Sequence, residues 1–308
     1  MVKKIILITT FSFLLILPLT TLAQEAPQNI KDATVNLYCR IKIGGKTMST
    51  TGSGVIIDNR GVILTNAHVG QFFLLAGKNE KSKGNCSVRA GSPAVAEYEA
   101  SLLYISPSWI STYTNSVSKK TEKVGTGERD FALLYITGAK NKLTPLNFKS
   151  LPLANLIDIQ NLKEAEVVSI AGYPAENLNF DKVKSKLTLA YANSAITSIR
   201  SFIKPQADLL VLAPSTAAKS GVSGGPILNQ NNEVVALATA LENNDKNKKT
   251  RSLRAITLVH VDRVIRTETG LPLTTLIQGD LATRAKLTTL FFTPAVRATL
   301  EKTLRRSR

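Results

Sequence analysis

Residues 52–69 read Gly52-Ser53-Gly54-Val55-Ile56-Ile57-Asp58-Asn59-Arg60-Gly61-Val62-Ile63-Leu64-Thr65-Asn66-Ala67-His68-Val69. Two short apolar runs flank Asp58-Asn59-Arg60-Gly61, in which Asn and Gly tolerate the positive φ of a tight turn, so the stretch predicts a strand–turn–strand unit. It ends at His68, one of only two histidines in the chain. Upstream, Val35, Leu37, Cys39, Ile41 and Ile43 alternate with Asn36, Tyr38, Arg40 and Lys42, the period-2 pattern of a strand with Cys39 pointing into a core. Downstream, apolar or alternating runs recur at 131–136, 166–171, 209–213 and 234–238, each bounded by turn residues. No long helical period is present before the last fifth of the chain. This spacing predicts an all-β sandwich or barrel. The absence of a repeat at a fixed period of roughly 20–50 residues excludes a propeller or solenoid.

The chain has 308 residues, 44% hydrophobic and 20% charged, which supports a sizeable core in one large or two modest domains. It excludes a disordered polymer and a small disulfide scaffold. Lys3 and Lys4, the apolar run 5–17 and Thr21-Leu22-Ala23 have the order of a secretory signal, with cleavage expected after Ala23; an uncleaved anchor is the alternative, although the run falls short of the about 20 residues a span needs. No later run is long enough to cross a bilayer. Export makes the two cysteines readable: Cys39 and Cys86 are predicted to pair in an oxidising compartment, with two buried free thiols as the alternative.

Three polar, lysine-bearing segments, 78–85, 106–129 and 243–254, read as surface loops. After Ile265 the pattern becomes helical. Asp280 can cap a helix from Leu281, and Thr293-Pro294 with Val296, Leu300 and Leu304 marks a second. These residues are expected either to pack back on the second half of the protein or to present Arg305, Arg306 and Arg308 to a partner.

Three separated stretches carry chemistry: Thr65-Asn66-Ala67-His68-Val69, Arg129-Asp130-Phe131-Ala132-Leu133-Leu134 and Gly221-Val222-Ser223-Gly224-Gly225-Pro226. They hold a base, an acid and a hydroxyl. A serine hydroxyl is a poor nucleophile at neutral pH and needs an imidazole to take its proton and a carboxylate to fix that imidazole's tautomer. The chain order His, Asp, Ser is that of chymotrypsin-type enzymes. Glycines beside Ser223 permit a turn whose N–H groups face a developing oxyanion. The alternatives are His68 as a structural histidine with His260 in its place, Asp158 in place of Asp130, and Ser223 as plain turn chemistry.

At these residues the chain resembles the trypsin-like, chymotrypsin-fold serine peptidases, most closely their bacterial HtrA-like branch. The resemblance runs through residues 52–69, the Asp130 strand, Gly172-Tyr173-Pro174, the serine loop with Ile227-Leu228-Asn229, and residues 255–265, covering roughly 33–268. It implies an all-β fold of two six-stranded antiparallel barrels with the site between them, and a short helical C-terminal extension. The implied division is a signal peptide at 1–23, a peptidase domain at 24–268 split near 150–165, and a basic helical extension at 269–308, too short for the PDZ domain that branch usually carries. His68 is implied as general base and acid, Asp130 as its orienting partner and Ser223 as nucleophile, with the N–H groups of Gly221 and Ser223 as the oxyanion hole. Val222 departs from the commonest pattern, in which a polar residue or Asp stands before the serine.

By the same resemblance Ala217 lines the base of the primary substrate pocket, and Leu237, Ala238 and Thr239 form an edge strand that pairs with substrate backbone. With no carboxylate at the pocket base, cleavage is expected after small or medium apolar residues. The expected protein is an exported serine endopeptidase, secreted, periplasmic or envelope-associated, acting on protein or peptide substrates without metal or cofactor.

The alternative function is a protease-fold binding protein whose basic loops hold anionic envelope polymer or nucleic acid without catalysis. Its motive is the charge: 39 Lys and Arg against 22 Asp and Glu give +17, of which the signal segment removes only two. With 6% aromatics and no recognised binding module, specific nucleic-acid recognition is not expected. The charge is read instead as attraction to an anionic envelope surface or to acidic substrates, weakening as salt rises.

Overall fold

The computed structural model describes residues 25–43, 45–78, 82–118, 127–176, 178–203, 205–241 and 252–306. The signal segment expected at 1–23 lies outside them.

A short helix, α1 (Gln28–Ala33), leads into β1 (Thr34–Ile43), whose inward residues Val35, Leu37, Cys39 and Ile41 are all buried as their alternation predicts. β2 (Lys46–Asp58) returns antiparallel, and the turn closes where Gly61 N–H donates to Asp58 O at 2.9 Å. Then follow β3 (Val62–Thr65), α2 (Ala67–Leu74), β4 (Gly77–Lys78), β5 (Ser82–Ala90), β6 (Ala96–Ile105), α3 (Pro107–Ser118) and β7 (Ala132–Ala139). The order β1-β2-β3-β7-β6-β5 closes through β1 and β5 into a six-stranded antiparallel barrel, with β4 added on the far edge of β5. Cys39 and Cys86 face each other across the closing seam and are joined by a disulfide.

Residues 140–166 cross to the second half. Leu151 N–H donates to Ile56 O in the first barrel, while Ala154 N–H and Val234 N–H exchange bonds with Val234 O and Pro152 O in the second. This crossing contains α4 (Leu156–Gln160). The second barrel comprises β8 (Val167–Gly172), β9 (Ala190–Arg200), β10 (Leu209–Leu212), β11 (Pro226–Leu228), β12 (Val234–Leu241) and β13 (Leu253–Thr257), closed in the order β10-β13-β12-β11-β8-β9. α5 (Phe180–Ser185) stands between β8 and β9. The chain is thus the two-barrel, chymotrypsin-like fold expected from the sequence.

Two expected loops are not loops. Within 78–85, residues 82–85 are the start of β5, paired with β1 from Ile43 to Arg40. Within 106–129 lies α3: Ser106 Oγ accepts from Trp109 N–H at 3.1 Å, Pro107 opens the first turn, and Trp109 stacks on Tyr113 one turn later at 5.0 Å. Residues 243–251 of the third segment lie outside the described residues; 253–254 belong to β13.

After β13 come α6 (Leu258–Thr269), α7 (Leu273–Leu276), α8 (Leu281–Leu287), a single π-helical turn (Thr288–Phe292) and α9 (Thr293–Arg306). Asp280 caps α8 as expected, accepting from Thr283 N–H at 3.0 Å. The extension does not lie on the second barrel. α8 rests on β6 and β7, and α9 lies against α2, α3 and β1 of the first barrel. Arg297 fixes it by donating to Leu75 O and Ala76 O, and Arg60 reaches back to Ile277 O and Gly279 O. No helix among the described residues is long and apolar enough to cross a membrane.

Candidate active site

β3 ends at Thr65, whose hydroxyl donates to Ser53 O at 2.7 Å, and Asn66 turns the chain into α2 so that the first turn of this helix carries His68. Asn66 Nδ2 donates to the carbonyl of Asp130 at 2.9 Å, tying the entrance of α2 to the entrance of β7. The Asp130 carboxylate then grips His68 twice. Oδ1 accepts the His68 backbone N–H at 2.8 Å, and Oδ2 lies 2.7 Å from the ring Nδ1. That contact fixes the tautomer with the proton on Nδ1 and leaves the Nε2 lone pair available. Burial pulls the His68 pKa down, but the charge and hydrogen bond of Asp130 outweigh it, and the net shift is upward from the ordinary 6.5.

Ser223 stands on the second barrel in the loop before β11. Gly221 has φ +102° and a Cβ there would come within 2.6 Å of Tyr173 O; Gly224 has φ +86° and a Cβ there would come within 2.2 Å of Ser53 O. Only glycine fits either place, which is why the serine is bracketed by glycines. Ser220 O is held by Ala175 N–H at 2.8 Å, while the N–H groups of Gly221 and Ser223 have no acceptor among the described residues. Val222, the departure from the commonest pattern, is fully buried, so its side chain is packing.

His68, Asp130, Gly221 and Ser223 line one cleft of about 650 Å³ between the barrels. The Ser223 hydroxyl is turned to the second barrel, donating to Thr239 O at 3.0 Å, and no hydrogen bond joins it to His68 among the described residues.

The expected substrate-binding residues divide. Thr239 lines the cleft, at the bulge where β12 slips register against β13. Leu237 and Ala238 do not form a free edge: β12 lies between β11 and β13, and Ala238 exchanges bonds with Gly224 and Gly225 on one side while pairing with Ala255 on the other. Their backbone is already committed to β11, β13 and the serine loop. Ala217 is buried and absent from the cleft wall, which on the second barrel consists of Lys219, Ser220, Gly221, Ser223, Thr239, Ala240, Leu253 and Arg254. Asp158 sits exposed on α4, and His260 is buried on α6.

Ser53, silent in the motif at residues 52–54, proves to be a structural keystone of the cleft. Its N–H donates to Ser223 O at 2.8 Å, its hydroxyl donates to Gly221 O at 2.8 Å, and that hydroxyl accepts Tyr173 N–H at 2.8 Å. One first-barrel residue therefore bolts the serine loop in place. The only signal was a small hydroxyl between two glycines inside a strand. His260 plays a comparable part from the other side. Its Nε2 donates to Glu128 O and its Nδ1 accepts from Arg263, which also binds the buried Asp208. Burial lowers the His260 pKa, in keeping with a neutral ring that anchors the segment leading to Asp130.

The profile of the trypsin-like peptidase domain family matches residues 52–237, which include all three residues of this constellation. The chain belongs to that family, and its general class is serine protease. Among solved structures it is similar to the active form of the Rv3671c protease from M. tuberculosis, with 19% identity, TM-score 0.48, and coverage of 77% of this chain and 80% of that one. The inactive Ser343Ala form of the same protein shows 18% identity, TM-score 0.45, and coverage of 77% and 87%. A search of curated proteins finds no match.

Proposed function

We propose that the protein is an exported serine endopeptidase in which Ser223, His68 and Asp130 act as a catalytic triad. The observation that carries this reading is the double hold of Asp130 on His68 in the same cleft as Ser223. In this reading the Ser223 hydroxyl leaves Thr239 O and donates to His68 Nε2 across the shared cleft. Ser223 Oγ then attacks the substrate carbonyl carbon as its proton passes to Nε2, and the oxyanion is received by the Gly221 and Ser223 N–H groups. His68 returns the proton to the leaving amine as the C–N bond breaks, leaving an acyl-enzyme ester. Water, deprotonated by His68, hydrolyses the ester and restores the serine.

For specificity, the second-barrel wall of the cleft offers no carboxylate to a substrate Arg or Lys and carries two cations, Lys219 and Arg254. Ala240 and Leu253 provide apolar surface there. The cations oppose a substrate Arg or Lys, and the apolar surface favours small or medium apolar residues at the cleaved bond. Placement nearest the HtrA-like branch rests on the motif resemblance alone, and export on the signal pattern together with the disulfide.

The test is covalent labelling by a serine-directed fluorophosphonate, with Ser223→Ala as control, followed by profiling on a peptide library. The expected result is stoichiometric label on the native protein, none on the variant, and cleavage after Ala, Val or Leu at least 10-fold faster than after Arg or Lys. Label on both proteins or on neither overturns the triad; a preference for Arg or Lys overturns the specificity.

A further inference from the structure

The outer face of the first barrel carries a second concavity, about 550 Å³, whose walls among the described residues hold Arg40, Lys42, Lys83, Lys140 and Lys184 and one carboxylate, Glu97. Strand geometry explains how they come together. The alternation that sends Cys39, Ile41 and Ile43 inward sends Arg40 and Lys42 outward. The β1–β5 register, pinned by the Cys39–Cys86 disulfide, sets Lys42 directly opposite Lys83. Like charges directly opposite on neighbouring strands are destabilising, so this pairing costs the fold stability that any neutral residue would spare. Glu97 does not relieve it, because its carboxylate binds Lys140 Nζ at 2.9 Å, and the same ammonium also holds Ser87 Oγ at 2.8 Å.

Lys184 joins from α5 of the other barrel. The buried Arg89 carries it there, donating to Lys184 O and Val183 O at 3.0 Å and to Asn36 Oδ1, all neutral acceptors, with its guanidinium over the Tyr38 ring. A sixth cation therefore lies beneath the site without a carboxylate bonded to it. Arg40 and Lys42 are spaced about 7 Å apart along β1, and Lys83 stands about 5 Å across at the backbone. That spacing suits one compact anion bearing several charges, and exceeds the reach of a single carboxylate.

We propose that this concavity binds an oligophosphate, a chain or cluster of linked phosphoryl groups, either free or displayed on a lipid headgroup. The site is separate from the cleft of His68 and Ser223 and stands whether or not Ser223 is a nucleophile. It also moves the anion-binding idea from loops, where the sequence located it, to the strands β1 and β5.

The full chain is titrated calorimetrically with inorganic triphosphate at several salt concentrations. Saturable one-site binding that weakens with salt is expected. Lys42→Gln and Lys83→Gln should each weaken it at least 10-fold while leaving Tm unchanged or higher, since each relieves the like-charge pair. A site that existed only for structure would instead lose stability. Lys302→Gln, on α9 in a separate cavity lined also by Arg297 and Arg305, should leave binding within 2-fold. Absence of binding, or equal weakening by Lys302→Gln, overturns the proposal. Vesicles of phosphatidylcholine with and without diacylglycerol pyrophosphate separate the sources. Retention that depends on that lipid and on Lys42 and Lys83 assigns a lipid-borne oligophosphate, and triphosphate binding without retention assigns a free chain. Retention indifferent to both lysines also overturns the site.

Discussion

At His68 the fold and the proposed chemistry favour opposite protonation states. Because Asp130 raises the imidazole pKa on folding, the stabilisation from this group is fully present below the unfolded value near 6.5 and is lost as pH rises through the raised folded value. Catalysis needs the neutral ring, so kcat/KM should climb across that same interval. Its inflection is expected above 6.5, and Asp130→Asn should move it downward while reducing the rate by about 10⁴-fold, the loss typical when this carboxylate is replaced in a Ser-His-Asp triad. A pH–rate profile of both proteins on an uncharged peptide checks it; an inflection that stays put in Asp130→Asn counts against the assigned role of the carboxylate. His68, Asp130 and Ser223 were legible because each belongs to a short, chemically constrained string. Ser53 was not, because a serine in a strand has many uses and its three bonds join segments more than 100 residues apart in sequence.

Among the elements, the β1–β5 pair closes the first barrel, and every other strand of that ring depends on its register. The disulfide across it closes a loop with a sequence separation of 47. On the chain-entropy account such a link is worth about 4 kcal/mol, chiefly by restricting the unfolded chain. Replacing Cys39 and Cys86 together by Ala should lower stability accordingly and raise m, because the freed denatured chain exposes more surface, with the far-UV spectrum of the folded state nearly unchanged; a loss under about 1 kcal/mol would show that the seam holds without the link. The strands were readable where apolar runs met turn residues, as at Val55-Ile56-Ile57 and Val62-Ile63-Leu64. The start of β5 was not, since its residues are Ser82, Lys83, Gly84 and Asn85, and its membership comes from pairing with β1 rather than from burial of its own side chains. α3 was hidden because its few apolar residues, Trp109, Ile110, Tyr113 and Val117, are spread through an otherwise polar segment. For β12 the apolar run announced a strand, but which strands flank Leu237 and Ala238 is a long-range fact that no local pattern contains.

Across the whole molecule, two barrels set the cleft and the C-terminal helices brace the half that carries His68 and Asp130. An amphipathic stripe reveals that a helix packs, and says nothing about its partner, which is why the side chosen by residues 269–306 became visible only in three dimensions. α6 reaches over the first barrel as well: Glu268 accepts Tyr104 Oη at 2.5 Å and Ser106 Oγ at 2.7 Å, and the buried Tyr104 hydroxyl is held far above its usual pKa. Beyond it, Leu273, Ile277, Leu281, Ala285, Leu300 and Leu304 are buried. The five larger of these contribute roughly 1.5–3 kcal/mol each when removed from water, an upper estimate whose sum is comparable to the about 5–15 kcal/mol that separates a folded domain from its unfolded chain. A chain ending at residue 268 would also uncover the faces of β6, α2 and α3 and leave Arg60 without the two carbonyls it binds. Such a truncation should therefore be insoluble or melt more than 10 °C lower, whereas a deletion on a detached tail would change nothing. Because the braced barrel holds the base and its acid, any soluble fraction should lose kcat together with the near-UV signal of Trp109, the single tryptophan of the chain, which sits on α3 where α9 docks. A truncated protein with native Tm and native fluorophosphonate labelling would show that the extension is an appendage and that the first barrel is stable by itself.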